Sequence, residues 1–298
     1  MKPLFIVDGY SILFRTYYSV GEMSTSQGVP VGGVFGFVRA FFTLLLRHNV
    51  QKIVITLDSG KPTFRSEIFT EYKANRVKVP ENLVPQFAIL DEFFQTSNIN
   101  HFRKDGFEAD DLIASFVKKH DGENVIVSAD KDLMQLVSTQ TQCLDFFANK
   151  FYKAQEVFEK FGVLPEFVAD YLAIVGDSSD NVPGIKGCGP QKAVKLIKEF
   201  GELENIAQNI ENIKDLKLKS ILQNNIESGI LSKKLVKLDS IVEIENENFD
   251  ISSINFENAL NFVAKYEMKS LVNLIQKAKN IGKTEEKTQK KPAQGSLF

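Results

Sequence analysis

The chain of 298 residues is long enough for one large domain or two smaller ones, and its 43% hydrophobic and 25% charged residues are typical of a soluble globular protein. Its 36 Lys and Arg residues nearly balance 38 Asp and Glu residues, so the formal net charge of −2 gives no first indication of a polyanion-binding protein. Two cysteines exclude a disulfide framework, and with three histidines they speak against a structural zinc site and favour a reducing, cytoplasmic setting.

Four short apolar runs predict strands that are covered on both faces, at residues 4–7, 53–57, 99–102 and 125–127. Helical patterns lie between them, at residues 34–46, 83–94 and 111–119. Alternating strands and helices predict an α/β fold with a mostly parallel twisted sheet and flanking helices. The most apolar stretch, residues 34–46, is shorter than the ~20 residues of a membrane-spanning helix, so we expect no membrane partner.

The pattern changes near residue 156, after which the segments 157–161, 166–175 and 191–200 predict helices. We therefore predict an α/β core at residues 1–155, a helical region at 156–278 and a disordered, Lys-rich tail at 279–298. Residues 19–33 are rich in glycine and predict a mobile loop. Residues 61–80 contain five basic and two acidic side chains, which makes this segment locally positive.

Acidic residues occur where predicted strands end and where helices begin. The set comprises four residues after strands (Asp8, Asp58, Asp130 and Asp132), three at a helix start (Glu108, Asp110 and Asp111) and a pair three positions apart (Asp177 and Asp180). Because the carboxyl ends of parallel strands meet at one edge of a sheet, we expect most of these side chains to converge there.

Each acidic residue alone also has a structural explanation, since Asp caps helix starts and favours the turns that follow strands. Several carboxylates at one edge need compensating positive charge, because two like charges 4 Å apart repel each other by about 4 kcal/mol at an effective dielectric constant of 20. Bound Mg²⁺ or Mn²⁺ would offset that repulsion, since both ions prefer oxygen ligands. The sequence therefore predicts a site for phosphoryl or phosphodiester transfer that uses two metal ions.

Residues 182–193 predict a turn that binds anions. Gly184, Gly187 and Gly189 lie within six residues and permit a tight turn with outward-pointing N–H groups, beside Lys186 and before a helix that carries Lys192. The pattern is similar to the helix-hairpin-helix element, here about residues 182–200, which holds a nucleic-acid backbone without reading bases. A plain turn between helices is the alternative, although it would need one glycine rather than three.

Together, these features resemble the 5′-nuclease (flap endonuclease) family, and most closely the 5′–3′ exonuclease domain of bacterial DNA polymerase I. The resemblance extends from Leu4 to about Lys277. It is carried by four strings in the family's order: residues 6–9 (IVDG), 107–111 (FEADD), 128–132 (SADKD) and 176–184 (GDSSDNVPG). It implies a PIN-like 5′-nuclease fold with a helical arch at about residues 61–82.

The resemblance also implies roles for individual residues. The metal ligands of the family correspond to Asp8, Asp58, Glu108, Asp110, Asp111, Asp130, Asp132, Asp177 and Asp180. The arch would contain Tyr72, Lys73 and Arg76, with Lys73 and Arg76 meeting the scissile phosphate. Arg15 and Arg65 match further positive positions near the DNA, and the hairpin usually holds a K⁺ ion.

The last five residues resemble the pentapeptide that binds the bacterial sliding clamp, with Gln294 followed by Leu297 and Phe298. A hydrophobic terminus without this function is the alternative. The resemblance predicts a free-standing, monomeric bacterial nuclease in the cytoplasm, associated with the nucleoid.

The predicted activity is divalent-metal hydrolysis of DNA phosphodiester bonds at 5′ flaps and 5′ ends, in replication and repair. The balance of exonuclease and endonuclease action and the use of RNA primers stay open. A phosphatase of the haloacid dehalogenase type is one alternative, but it needs an Asp-x-Asp pair where this chain has Asp8 and Tyr10. A DNA-binding or clamp-loading accessory protein without catalysis is the second, and it would have little need for nine matched acidic residues.

Overall fold

The computed structural model describes residues 2–238, 242–244 and 248–281. Six strands form one sheet: β1 (Leu4–Asp8), β2 (Lys52–Thr56), β3 (His101–Phe102), β4 (Asn124–Val127), β5 (Thr141–Asp145) and β6 (Lys150–Tyr152). Their order is β3-β2-β1-β4-β5-β6, and all pairs are parallel except β5 with β6. The predicted α/β fold with a mostly parallel sheet is confirmed.

Twelve α-helices accompany the sheet in these ranges: α1 (Gly9–Val20), α2 (Gly32–His48), α3 (Phe64–Ile68), α4 (Val84–Thr96), α5 (Ala109–Lys119), α6 (Ala154–Phe161), α7 (Val168–Val175), α8 (Pro190–Phe200), α9 (Leu203–Gln208), α10 (Leu216–Val236), α11 (Phe256–Lys265) and α12 (Val272–Ala278). None of them combines the length and the apolar character needed to cross a membrane.

Alternating side chains of the strands fill two cores, one on each face of the sheet. In β1, Phe5 and Val7 point into the core formed with α1, α2 and α4, whereas Leu4 and Ile6 point into the core formed with α5 to α10. The parallel register pairs Phe5 with Ile53 of β2, so the alternation continues from strand to strand. Burial on both faces explains why the predicted strands are near-continuous apolar runs.

Strands β5 and β6 were not predicted from the sequence. The segment TQCLD of β5 has three buried residues, but its polar residues Thr141, Gln142 and Asp145 leave no continuous apolar run. It pairs with β4 on one side and with the edge strand β6 on the other. The residues of β6 are exposed or half-buried, as expected for an edge strand, so β6 also lacks the apolar run that marks the central strands.

The helices α11 and α12 pack differently from the predicted grouping of residues 156–278. They return to the core of α2 and α4, where the ring centroids of Phe93 and Phe262 lie 5.1 Å apart. Glu267, which follows α11, accepts a hydrogen bond of 2.7 Å from Ser26 N in the loop after α1. Amphipathic patterns predict that a helix buries one face, but they do not predict which apolar surface covers it.

The segment predicted as a helical arch is helical only at its start. Helix α3 has five residues, turns follow at residues 70–75, and the chain is then irregular up to residue 80. Lys73 in the turns has φ = 58°, a left-handed conformation that is uncommon outside glycine. We call residues 69–82 the arch segment.

Candidate active site

Backbone N–H groups at the starts of helices hold the acidic side chains that follow the strands. Asp8 ends β1 and caps α1, since its Oδ1 accepts a hydrogen bond of 3.1 Å from Ser11 N. Its Oδ2 accepts one of 3.0 Å from the Ser128 hydroxyl, directly after β4. Asp58 follows β2 and accepts a bond of 2.8 Å from Ala109 N at the start of α5. The capping roles and the convergence at one edge therefore occur together.

Asp8, Asp58, Asp110 and Asp130 form a first acidic group, which we call the strand-end group. Burial raises the pKa of Asp8 to about 7, with further increases from the charges of Asp58 and Asp130, while hydrogen bonds from Ser11 and Ser128 oppose them. The pKa of Asp110 is also raised well above its ordinary value, first by burial and then by Asp130 and Asp8. The charges of Asp8, Asp58 and Asp130 contribute to these shifts, so the four carboxylates share one electrostatic environment.

Asp132, Asp177 and Asp180 form a second group, which we call the loop group. Burial raises the pKa of Asp132 to about 8, followed in size by the charges of Asp130 and Asp177. Its Oδ1 is buried and has no hydrogen-bond partner in the part of the chain that the structure describes. Burial also acts to raise the pKa of Asp177, but hydrogen bonds from Ser179 and Lys131 hold it below its ordinary value. The charge of Asp130 contributes to the raised pKa of both Asp8 and Asp132, so the strand-end group adjoins the loop group at Asp130.

The donor chemistry of both groups fits hard divalent cations. All donors are carboxylate oxygens, Asp132 Oδ1 has no partner among the described residues, and burial together with neighbouring carboxylates raises the pKa of Asp8 and of Asp132. Within the described ranges, however, no three acidic, His or Cys side chains are already arranged as a ligand set. Basic side chains pair with some of them instead, as Lys131 does with Asp177 at 2.9 Å.

The arch segment brings two basic residues to this edge. Lys73 Nζ lies 2.7 Å from Glu108 Oε1 and 3.7 Å from Asp180 Oδ2, and Arg76 Nη2 lies 2.6 Å from Asp180 Oδ1. Tyr72 donates a hydrogen bond of 3.2 Å to Glu108, and its pKa is raised by burial and then by the charge of Glu108. Lys73 and Arg76 thus lie among the acids that the sequence singled out.

Two predicted residues lie elsewhere than expected. Arg65 is predicted to contact DNA, but it is 1% exposed and its guanidinium is fully engaged inside the protein. Asp111 is predicted to bind metal, but it is 0% exposed and both of its carboxylate oxygens accept hydrogen bonds from Arg65, at 2.7 and 2.8 Å. The acidic string marks a helix start correctly, but its last residue serves a buried ion pair.

Two residues of the site were not predicted from the sequence. Ser128 connects β4 to Asp8, and Lys131 forms the ion pair with Asp177. Both lie within the string SADKD, so the serine before the acids and the lysine between them were the available signals. Arg15 lies next to this edge on α1, 3.6 Å from Asp145 and with its guanidinium carbon 4.8 Å from the centre of the Phe147 ring.

The predicted hairpin turn lies between α7 and α8, at residues 176–189. Gly184 has φ = 66°, and a Cβ atom there would lie 2.5 Å from Gly176 N, so only glycine fits this crossing of the chain. Gly184 N donates to the Ser232 hydroxyl at 2.9 Å, and the Ser228 hydroxyl donates to Gly184 O at 2.7 Å. Both serines belong to α10, which therefore fixes the inner side of the turn through the backbone of Gly184.

The outer side of the turn has the features of an anion site. The N–H groups of Gly187 and Gly189 donate to no acceptor among the described residues. Gly189 caps the N-terminus of α8, where the helix dipole favours negative charge. Lys186 is exposed, and the half-buried Lys192 donates from Nζ to Gly187 O at 2.7 Å. The turn thus offers free donors and positive charge on one surface.

Gln294, Leu297 and Phe298, which the sequence predicts to bind the sliding clamp, lie outside the described residues, as does most of the tail from residue 279.

Two family models match consecutive parts of the chain. A family model for the 5′–3′ exonuclease N-terminal resolvase-like domain matches residues 3–162, and one for the 5′–3′ exonuclease C-terminal SAM fold matches residues 163–259. A 5′–3′ exonuclease of Aquifex aeolicus is 35% identical over 282 residues, which cover 93% of this chain and 96% of the relative. DNA polymerase I of Borreliella burgdorferi is 38% identical over 283 residues, but this chain spans 31% of its length.

A crystal structure of a bacteriophage T5 flap endonuclease, described as a pseudo-enzyme–product complex with DNA and metal ions, has the same fold. Its TM-score is 0.67 at 22% identity, and the match covers 95% of this chain and 100% of the phage protein. The predicted resemblance to the 5′-nuclease family is confirmed, and the chain belongs to the 5′–3′ exonuclease family.

Proposed function

We propose that the chain is a structure-specific 5′ nuclease that hydrolyses DNA phosphodiester bonds at 5′ flaps and 5′ ends with Mg²⁺ or Mn²⁺. One observation carries this proposal: Lys73 and Arg76 of the arch segment reach the acidic edge of the sheet, at 2.7 Å from Glu108 and 2.6 Å from Asp180. Acids that hold divalent ions next to basic side chains that bind phosphate are the two parts that phosphodiester hydrolysis requires.

The acids would hold the ions in two places. The strand-end group would provide one set of ligands, the loop group would provide a second, and Glu108 lies beside the first. Ions bound there supply Lewis acidity and an activated water molecule.

Lys73 and Arg76 would exchange their protein partners for the substrate. Burial acts to lower the pKa of Lys73, but the charges of Glu108 and Asp180 hold it above its ordinary value, so the amine stays protonated. A protonated Lys73 at the scissile phosphate stabilises the charge that develops in the transition state, and the planar guanidinium of Arg76 orients the phosphate with two N–H groups.

The hairpin turn would hold the duplex away from the cut. Gly187 and Gly189 would donate backbone N–H groups to a phosphate, Lys186 and Lys192 would add positive charge, and a K⁺ ion would lie between turn and phosphate. Contacts of this kind read no sequence, which suits an enzyme that selects DNA by structure. Arg15 and the loop after α1 would face the remaining DNA.

The experiment uses a 5′-flap oligonucleotide labelled at its 5′ end, with products mapped at nucleotide resolution in Mg²⁺ and in EDTA. We expect Mg²⁺-dependent cleavage near the base of the flap. Asp130→Ala should lose most turnover and still bind the flap, whereas the exposed Asp121→Ala, at the opposite edge of the sheet, should behave as the wild type. Wild-type rates for Asp130→Ala would refute the metal assignment, and binding without cleavage by the wild type would favour an accessory protein.

The same proposal covers partners and location. We propose a monomer in the bacterial cytoplasm, associated with the nucleoid, that acts on DNA flaps and on RNA–DNA junctions and is recruited by the sliding clamp through residues 294–298. Deletion of those residues should leave oligonucleotide cleavage intact and abolish clamp binding. Unchanged clamp affinity would exclude this recruitment.

A further inference from the structure

Arg65 is a basic residue at the root of the arch segment, yet no DNA strand can reach it. It lies on α3 and is among the largest fully buried side chains, at 1% exposure. Its pKa lies above the ordinary value because the hydrogen bonds and charge of Asp111 outweigh the opposing effect of burial. A charged side chain at this depth needs a partner that is built into the fold.

The guanidinium of Arg65 fastens three elements to one another. Nη1 and Nη2 donate to the two carboxylate oxygens of Asp111 on α5, at 2.7 and 2.8 Å. Nε donates to Leu235 O near the end of α10 at 2.7 Å. Nη1 also lies 3.4 Å from Glu108 Oε2. A bidentate pair of this kind fixes direction as well as distance, because guanidinium and carboxylate are both planar.

Asp111 in turn fixes the start of α5, where Glu108 is the N-cap residue. Its Oδ2 accepts a hydrogen bond of 3.0 Å from Glu108 N, which sets the backbone at that residue. The side chain of Glu108 is the partner of both Lys73 and Tyr72. The pair Arg65–Asp111 therefore fixes the backbone of Glu108, while the arch segment binds its side chain.

The third contact links this pair to the hairpin turn. Helix α10 accepts the bond from Arg65 at Leu235, and one turn earlier its Ser232 bonds to the turn at Gly184. Helix α10 thus contacts both the root of the arch segment and the inner side of the turn whose outer side would hold the duplex.

We infer that Arg65 and Asp111 are positioning residues: as a buried pair they fix Glu108 and the arch segment relative to α10, and they contact neither DNA nor the metal ions. This inference rests on the proposed nuclease function, and it replaces the roles that the sequence predicted for both residues. Catalysis depends on the pair through the placement of Glu108 and of Lys73.

The test compares Arg65→Lys, Asp111→Asn and the double variant. Lysine keeps the charge without the two-pronged geometry, and asparagine keeps the shape without the charge. Single-turnover cleavage of saturating flap DNA in Mg²⁺ should slow at least tenfold in each single variant, and the double variant should be no slower than the worse single one, because the residues act as one unit. Multiplied losses would overturn the inference, since they indicate two independent roles.

Flap affinity, measured in Ca²⁺ over a range of salt concentrations, separates positioning from DNA contact. We expect the Kd to stay within about twofold of the wild type and its salt dependence to stay unchanged. An Arg65 that touched phosphate would lower the slope of log K against log salt by about 0.9 in any variant that removes the contact. That result for a variant at position 65 would overturn the inference.

A third measurement needs no activity. Trypsin digestion in EDTA should cut within the arch segment, at Lys73, Arg76 or Lys78, severalfold faster in Arg65→Lys and Asp111→Asn than in the wild type. Unchanged digestion in folded variants would overturn the inference. The control is an exposed ion pair on α4 and α11, Glu92 with Lys265 at 2.7 Å, whose Lys265→Gln variant should match the wild type in all three measurements. If the wild type itself fails to cleave, the nuclease proposal fails, while digestion still decides whether the pair orders the arch segment.

Discussion

Replacing Asp8 by Asn should stabilise the metal-free protein while abolishing its activity. Asp8 ends β1 in the strand-end group, where it is 7% exposed and its pKa is raised to about 7 by burial and by Asp58 and Asp130. Asn has almost the same shape and caps helices as well as Asp does, so the bond from Ser11 N survives. The substitution therefore removes the charge and little else.

The magnitude follows from the difference between the folded pKa of about 7 and the ordinary value of 3.8. A raised carboxylate pKa stabilises the fold fully below pH 3.8, and this contribution is lost as the pH rises to about 7. The shift of about 3 units corresponds to about 4 kcal/mol. Because Asp8 shares the repulsion with its neighbours, we expect Asp8→Asn to recover about half, or about 2 kcal/mol, above pH 7.

The assay is urea unfolding in EDTA between about pH 4 and pH 8. The stability difference between Asp8→Asn and the wild type should be near zero at the acid end and should rise to about 2 kcal/mol above pH 7. Mg²⁺ should remove the advantage by stabilising the wild type. Asp145→Asn is the control, since Asp145 also ends a strand at this edge but pairs with Arg15. A destabilised Asp8→Asn variant at pH 8, or a difference independent of pH, would refute the reasoning.

Three further predictions concern the arch segment and the hairpin turn. Lys73→Ala should lower the single-turnover rate about 10²-fold to 10³-fold and change the Kd for flap DNA less than about threefold, and equal losses in both would exclude a transition-state role. Gly184→Ala should cost about 3 kcal/mol in urea unfolding, because its Cβ would lie 2.5 Å from Gly176 N at φ = 66°, whereas Gly189→Ala, with open space around the new Cβ, should cost little. Lys186→Ala should lower the salt slope of duplex binding by about 0.9, and an unchanged slope would remove Lys186 from the interface.

The central sheet and its acidic edge could be predicted from the sequence because both depend on local patterns. Doubly buried strands leave apolar runs, and their ends are marked by Asp8, Asp58 and Asp130. Parallel pairing then brings these ends to one edge without further information. The hairpin turn was predictable for the same reason, because its glycines are a local signal: Gly184 and Gly187 both adopt positive φ.

What escaped prediction depends on partners that are distant in the sequence. The pattern around Arg65 does not reveal that Asp111, 46 positions later, accepts its two N–H groups, nor that Leu235, 170 positions later, accepts a third. A basic residue in a basic segment is normally solvent-exposed, which is why the sequence predicts a DNA contact for a side chain that the structure buries. Likewise, α12 carries an apolar face, but only the folded chain shows that α2 is its neighbour.

The return of α11 and α12 to the first core has a consequence for how this chain can be divided. The two family models divide the chain into residues 3–162 and 163–259, yet the second match ends at residue 259, inside α11. The two cores also lie on opposite faces of the same strands. Removing either set of covering helices would leave one face of the sheet bare to water. We expect the two matched segments to be halves of one cooperative folding unit, so that neither half could be inherited, transplanted or expressed as a working part without the other.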